Sequence, residues 1–224
     1  DIIGSYSFNK SQITCITIPS NITRICTEAF NSCKNLKFVE FQCNSKLQII
    51  ENAAFWDTAI ERIVIPSNVT SIGRSAFSNC RNLEVVEFQT NSKLEIIDGG
   101  AFSNTAIEKI TFPTNLKSIG EHSFSGCSKL QIVDFPNDTK LTNIENGVFF
   151  DTSIKEIMIP KSVEKINGKF LNFMLKKVQV HPDNNYYKSF NDLMIIGKSS
   201  IGKENFDVLV FCLQNIRNVT IPEF

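Results

Sequence analysis

The sequence predicts a solenoid of stacked coils, in which short parallel β-strands alternate with short helical turns, in the α/β repeat class. Three observations lead there. First, the segment Ile60–Leu83, IERIVIPSNVTSIGRSAFSNCRNL, has a counterpart 47 residues earlier, ITCITIPSNITRICTEAFNSCKNL from Ile13, and another 47 residues later, IEKITFPTNLKSIGEHSFSGCSKL from Ile107. Second, each period divides into a coil of 23 residues and one of 24, both opening with apolar residues at positions one, four and six. Third, each coil carries a second apolar anchor, followed five residues later by phenylalanine in the first six coils. Self-similarity at a fixed period in the twenties marks a chain whose coils bury their apolar faces only against their neighbours.

Positions one, four and six define the strand. In Ile60-x-x-Ile63-x-Ile65 and Leu83-x-x-Val86-x-Phe88, positions four and six share one strand face and the residues between them point away. Position nine is Asn21, Asn44, Asn68, Asn91 and Asn115, then Asp138 and Ser162. This spacing matches the leucine-rich-repeat core L-x-x-L-x-L-x-x-N. The Asn is expected either to bond backbone groups in the turn after the strand, coil on coil, or to be a plain polar turn residue. The second anchors are Ile25, Ile50, Ile72, Ile97, Ile119, Ile144 and Ile166, and the phenylalanines are Phe30, Phe55, Phe77, Phe102, Phe124 and Phe149. Ile72, Ala76, Phe77 and Cys80 fit one face of a helical turn. The rings are expected to stack as a ladder inside the solenoid, which is why 19 Phe residues do not read as a nucleic-acid platform.

In chain order, residues 1–12 match the tail of a coil, because Ile3 and Phe8 repeat the spacing of Ile97 and Phe102. The segment reads as a piece of something longer, with no signal peptide in it. Coils then open at Ile13, Leu36, Ile60, Leu83, Ile107, Leu130 and Ile154, the last departing from the pattern because Phe170 follows Ile166 by four. Leu175-x-x-Val178-x-Val180 makes one more strand. His181–Phe190 reads as a polar turn, and Leu193–Ile196 with Phe206–Cys212 as a hairpin around a Gly/Ser/Lys stretch. Ile216-x-x-Val219-x-Ile221-Pro222 restarts a coil. The expected organisation is a repeat array over 1–180 with a truncated first coil, a hairpin-like insertion over 181–215, and a truncated further coil over 216–224. At roughly 4.8 Å between paired strands, about eight coils make a rod near 40 Å long.

Composition narrows the function. Lys+Arg and Asp+Glu are both 23, so no excess of positive charge favours nucleic acid or an anionic membrane. No long apolar run suggests direct membrane insertion. Cys33, Cys80 and Cys127 recur every second coil, about 10 Å apart at the strand spacing above and too far for a disulfide. They read as small buried packing residues, and Cys15, Cys26, Cys43 and Cys212 have no partner at matching phase. The two histidines, His122 and His181, are far apart, and no metal-ligand, phosphate-loop or nucleophile motif is present. No catalytic, metal or cofactor site is expected. Sequons occur at Asn9, Asn21, Asn68, Asn137 and Asn218, and they are acceptors only if the chain enters a secretory pathway.

The unit I-P-S-x-V-T-S-I-G-x-x-A-F-S-x-C-x-N-L, at Ile65–Leu83, resembles the BspA-like, or Treponema-type, leucine-rich repeat over about residues 1–180. The coil ending F-S-N-T-A-I at Phe102–Ile107 is similar to versions found in protozoan parasites. The N-x-x-Y-x-S element at Asn184–Ser189 resembles the insertion these proteins often carry. The resemblance implies a cell-surface or secreted protein that binds host cells, extracellular matrix or other microbes, and that is often immunogenic. Fold alone does not fix function.

A candidate binding face follows from strand direction alone. One outward column reads Cys15, Phe38, Arg62, Val85, Lys109, Ile132, Glu156 and Lys177, and the next carries Glu40, Glu87 and Asp134. Phe38, Val85 and Ile132 recur every second coil as outward apolar residues beside those acids. Such a stripe suits a protein or host-surface partner that is extended or basic. Equally, it is what duplication of a coil pair would leave behind. An intracellular protein–protein scaffold is the alternative function, since the same solenoid would serve.

Overall fold

The computed structural model describes residues 1–168, 170, 174–198 and 206–213. Each coil lays down a long strand, a two-residue strand and a row of turns. Along the chain the strands are β1 (Ile2–Ile3), β2 (Cys15–Ile18), β3 (Arg24–Ile25) and β4 (Phe38–Phe41), then β5 (Ile49–Ile50), β6 (Arg62–Ile65), β7 (Ser71–Ile72) and β8 (Val85–Phe88). There follow β9 (Ile96–Ile97), β10 (Lys109–Thr111), β11 (Ser118–Ile119) and β12 (Ile132–Asp134), then β13 (Asn143–Ile144), β14 (Glu156–Ile159), β15 (Lys165–Ile166) and β16 (Lys177–Val180). The leucine-rich-repeat solenoid expected from the sequence is the observed fold.

The two-residue strands form one parallel ladder, β1-β3-β5-β7-β9-β11-β13-β15, around the second anchors. The long strands do not run on unbroken: β2-β4-β6-β8 is one sheet, and β10-β12 and β14-β16 are separate pairs. Position seven of the coil contributes to the breaks. In the pairs β2–β4, β6–β8 and β14–β16 it donates backward: Gln42 and Gln89 N–H reach the carbonyls of Ile18 and Ile65 at 3.1 Å, and His181 N–H reaches Ile159 at 2.9 Å; β10 and β12 pair although their position seven is Pro136. The Gln42 and Gln89 side chains add a second clamp, each accepting at 3.0 Å from the N–H of Ser20 and Ser67. Between pairs the same position is Pro66, Pro113 or Pro160, and proline has no N–H to give. Consequently β4 and β6 share a single bridge, Phe38↔Arg62, and β8–β10 and β12–β14 share none.

The row opposite the long strands is not helical, which corrects the expectation of helical turns. In the coil from Ile60, the N–H groups of Ala76, Ser78 and Cys80 close turns onto the carbonyls three residues back. Those of Ser75, Phe77 and Asn79 donate instead to Gly99, Ala101 and Ser103 of the next coil, at 2.7–2.9 Å. A helix would direct every one of them to the residue four back. The alternation requires left-handed backbone three and seven residues after each anchor, seen at Ser75 (φ 55) and Asn79 (φ 60), Gly100 (φ 64) and Asn104 (φ 57), and His122 (φ 55) and Gly126 (φ 75). Every second amide therefore ties one coil to the next.

The core lies between these rows. Phe8, Phe30, Phe55, Phe77, Phe102, Phe124 and Phe149 stack in register, with ring centroids 4.9–5.9 Å apart. Beside the ladder, the Cys80 and Cys127 thiols donate to the carbonyls of Phe55 and Phe102 in the preceding coil at 3.0 and 3.1 Å. They also meet the hydroxyls of Thr58 and Thr105 at 3.1 Å. These cysteines are therefore packing residues with a polar duty as well. Burial raises both thiols, Cys80 to about 11, against the weaker opposing effect of the threonine hydrogen bonds. The Asn position also proves to be two positions. Asn68 and Asn115 donate to the carbonyls of Ser45 and Ser92 at 2.9 and 2.8 Å, whereas Asn44 and Asn91 are exposed turn residues at φ 59.

The regular ladder ends at a three-stranded antiparallel sheet of β17 (Tyr187–Phe190), β18 (Met194–Gly197) and β19 (Val208–Cys212). The turn expected at 181–190 therefore covers only its first half. Buried Asn184 sets the corner: its amide donates to the carbonyls of Pro160 and Val163, and its Oδ1 accepts the N–H of Tyr186 and Tyr187. The Tyr187 hydroxyl accepts from the N–H of Ile166 at 3.0 Å, where a further two-residue strand would otherwise pair. Phe170 packs against Phe211 of β19, which is why it leaves the ladder. The coil restart at Ile216–Pro222 and the terminal Glu223-Phe224 pair lie outside the described residues.

Candidate functional site

Strand pairing places the candidate residues on the outward side of the long strands. Cys15 opposes Phe38, Phe38 opposes Arg62, and Arg62 opposes Val85. Lys109 opposes Ile132 in the next unit. Glu40 opposes Thr17, Glu87 opposes Val64, and Asp134 opposes Thr111. Phe38 is 56% exposed and Ile132 is 48% exposed, while Val85 is half-buried. Met158, also outward, adds an exposed apolar group.

The apolar groups are not a continuous stripe. Arg62 stands between Phe38 and Val85, and Lys109 beside Ile132. Each cation reaches diagonally to the acid two residues along the next strand: Arg62 to Glu87 at 2.6 Å, Lys109 to Asp134 at 2.8 Å. Two further pairs have other geometry: Lys37–Glu61 at 3.3 Å joins the same position of adjacent coils, and Lys129 reaches back 45 residues to Glu84 at 3.1 Å. Exposed pairs of this kind stabilise by about 0.2–1 kcal/mol each. Their larger effect here is to neutralise the face. Of the three acids read from the sequence, only Glu40 has no ion pair among the described residues. The face is amphipathic rather than acidic.

Beside this column the break between β8 and β10 opens a cleft of about 930 Å³, lined from Glu84 to Ser92, by Glu108 and Lys109, from Thr111 to Asn115, and by Pro136. A second, smaller cleft of about 160 Å³ lies at the β12–β14 break, with Asn137, Met158 and His181 on its walls. Sequence reading overlooked both, although the successive prolines at position seven, Pro113, Pro136 and Pro160, stand beside them. Among the described residues no cluster of His, Cys, Asp and Glu could hold a metal ion. No helix there is long and apolar enough to cross a membrane.

The sequons differ in freedom. Asn137 is exposed, and Asn21 is exposed with its amide on the Asp1 carboxylate. Asn9 is half-buried against Glu28, and Asn68 is committed to the Ser45 carbonyl and the Lys93 ammonium. Asn218 lies outside the described residues.

A family model for the BspA type leucine rich repeat region matches in six copies over residues 1–97, 48–174 and 95–205. Among solved structures, a leucine rich cell surface protein from Faecalibacterium prausnitzii is 27% identical, with a TM-score of 0.62, over 89% of this chain and 47% of its own. A leucine-rich repeat protein from Bacteroides ovatus is 25% identical, with a TM-score of 0.58, over 80% of this chain and 58% of its own. The chain thus spans about half to three fifths of these two proteins. No curated protein matches it.

Proposed function

The chain belongs to the BspA-type leucine-rich-repeat family, and on that premise we propose that it is a non-enzymatic recognition or adhesion module of a cell surface or secreted protein. It binds host cells, extracellular matrix or other microbes through the outward side of the long strands. The carrying observation is that Phe38 and Ile132 stand exposed on paired strands while the adjacent Arg62 and Lys109 are already ion-paired. Aromatic and aliphatic groups held that way supply contact area at little entropic cost. The cell-surface description of the Faecalibacterium prausnitzii protein supports the location, and the F-S-N-T-A-I coil ending supports a protozoan-parasite version of the family. The same proposal divides the chain into an array over 1–180, a hairpin-like insertion over 181–215 and the start of a further coil over 216–224.

One observation favours an intracellular scaffold instead: all seven cysteines are free thiols, as reducing compartments require. Antibody labelling of intact source cells separates the two. Signal on unpermeabilised cells supports the surface reading, and signal only after permeabilisation transfers the function to the scaffold.

A further inference from the structure

We propose that the cleft between β8 and β10 takes an extended peptide segment of a partner protein, one that alternates apolar residues with a lysine or arginine. This rests on the outward side of the long strands being the recognition face. β8 ends its sheet and β10 begins the next, so two strand edges without ladder partners face one another. At the equivalent place within a pair, Gln89 N–H binds the Ile65 carbonyl. Here the donor to Phe88 would come from Pro113, which has none. An extended peptide supplies the missing N–H, as in strand addition to a sheet edge.

Phe112 shapes the floor of this cleft. It stands where the equivalent coils have Ile18, Ile65 and Ile159. Its ring stacks on Phe135 at 5.2 Å and meets Phe124 edge-on at 5.6 Å, so β10 is held to its own pair. The cleft volume of about 930 Å³ falls in the range of sites that enclose a ligand, roughly 300–1,000 Å³. Val85 and Phe88, both half-buried, offer the apolar wall. Glu84 and Glu87 are occupied by Lys129 and Arg62, whereas Glu108 is exposed with no ion pair among the described residues. The cleft therefore presents one unneutralised acid beside an apolar wall, which selects the basic–apolar alternation.

The test pans a displayed library of random nonapeptides against the whole chain and measures the enriched peptides by fluorescence anisotropy. Enriched sequences should alternate apolar residues with Lys or Arg, and Glu108→Lys should weaken them about tenfold or more. Glu108→Gln, which removes only the charge, covers the case in which lysine disturbs the fold, and should weaken them severalfold. The variant Lys10→Ala, exposed in the first coil and outside the cleft, should bind them as wild type does. No enrichment, or equal binding by both Glu108 variants and wild type, overturns the inference. If the double variant Phe38→Ser, Ile132→Ser loses cell attachment while the Glu108 variants keep it, the face stands and the cleft does not.

Discussion

Phe77→Ala is the sharpest perturbation of the stack. Phe77 is fully buried and its ring lies between Phe55 at 5.1 Å and Phe102 at 5.3 Å. Its N–H donates to Ala101 of the next coil and its carbonyl accepts from Cys80 in its own turn, while Ala76 and Ser78 on either side accept from the preceding coil, so the backbone has little freedom to close the space. Truncating such a ring costs about 3–5 kcal/mol, the transfer loss plus the cavity. At about 2–4 °C per kcal/mol for chains of this size, the melting temperature should drop by on the order of 10 °C. Phe8 is half-buried and stacks on one ring, Phe30. Phe8→Ala forfeits one stacking partner and less burial, so its drop should be about half as large. Thermal unfolding followed by circular dichroism, with urea midpoints alongside, reads both. Equal shifts for the two variants would refute the view that stability is assembled from nearest-neighbour contacts.

Three further outcomes follow from the same packing. Ser123 is buried with no hydrogen-bond partner for its hydroxyl among the described residues, at a phase where Ala29, Ala54, Ala76 and Ala101 stand. Ser123→Ala should therefore raise the urea midpoint, by about 1–2 kcal/mol of stability. A Cβ on Gly120 would stand 2.6 Å from the Gly99 nitrogen and 2.8 Å from the Asp98 carbonyl carbon; because both are backbone, Gly120→Ala should cost about 1–3 kcal/mol, and a neutral result would mean that the coils are not so closely stacked. Burial holds the Cys80 proton until about 11 rather than the ordinary 9.0. The unfolded chain loses it first, so stability should be constant below about pH 9 and fall towards pH 11, a slope that the Cys80→Ala, Cys127→Ala double variant should flatten.

Much of the solenoid was legible because its information is periodic. Positions one, four and six mark the strands directly, and the Phe spacing marks the ladder, since a residue repeated at one phase of every coil has only its counterparts to touch. The turn row was misread because Ile72, Ala76, Phe77 and Cys80 fall at helical spacing. The contrary sign lay in the polar and glycine residues at the third and seventh places, such as Gly100 with Asn104 and Gly147 with Asp151, which tolerate left-handed backbone. A helix cannot hold two such residues in one turn and a half.

The candidate face was legible by strand direction, but its charge was not. Pairing Arg62 with Glu87 depends on a diagonal between strands, and a column read one coil at a time does not show diagonals. The strand Tyr187–Phe190 was hidden because its cause is Asn184, a single buried amide that ties two nearby N–H groups to two carbonyls of the preceding coil. The cleft depended on noticing what proline cannot donate.

The most direct measurement of the central claim compares the triple variant Phe38→Ser, Val85→Ser, Ile132→Ser with wild type for attachment to cultured host cells and to reconstituted extracellular matrix. Anchors at interfaces typically contribute more than about 1 kcal/mol each. Attachment should fall by tenfold or more while the melting temperature stays within about 2 °C, because Phe38 and Ile132 are exposed and Val85 is half-buried. Unchanged attachment by a folded triple variant would contradict recognition through this face.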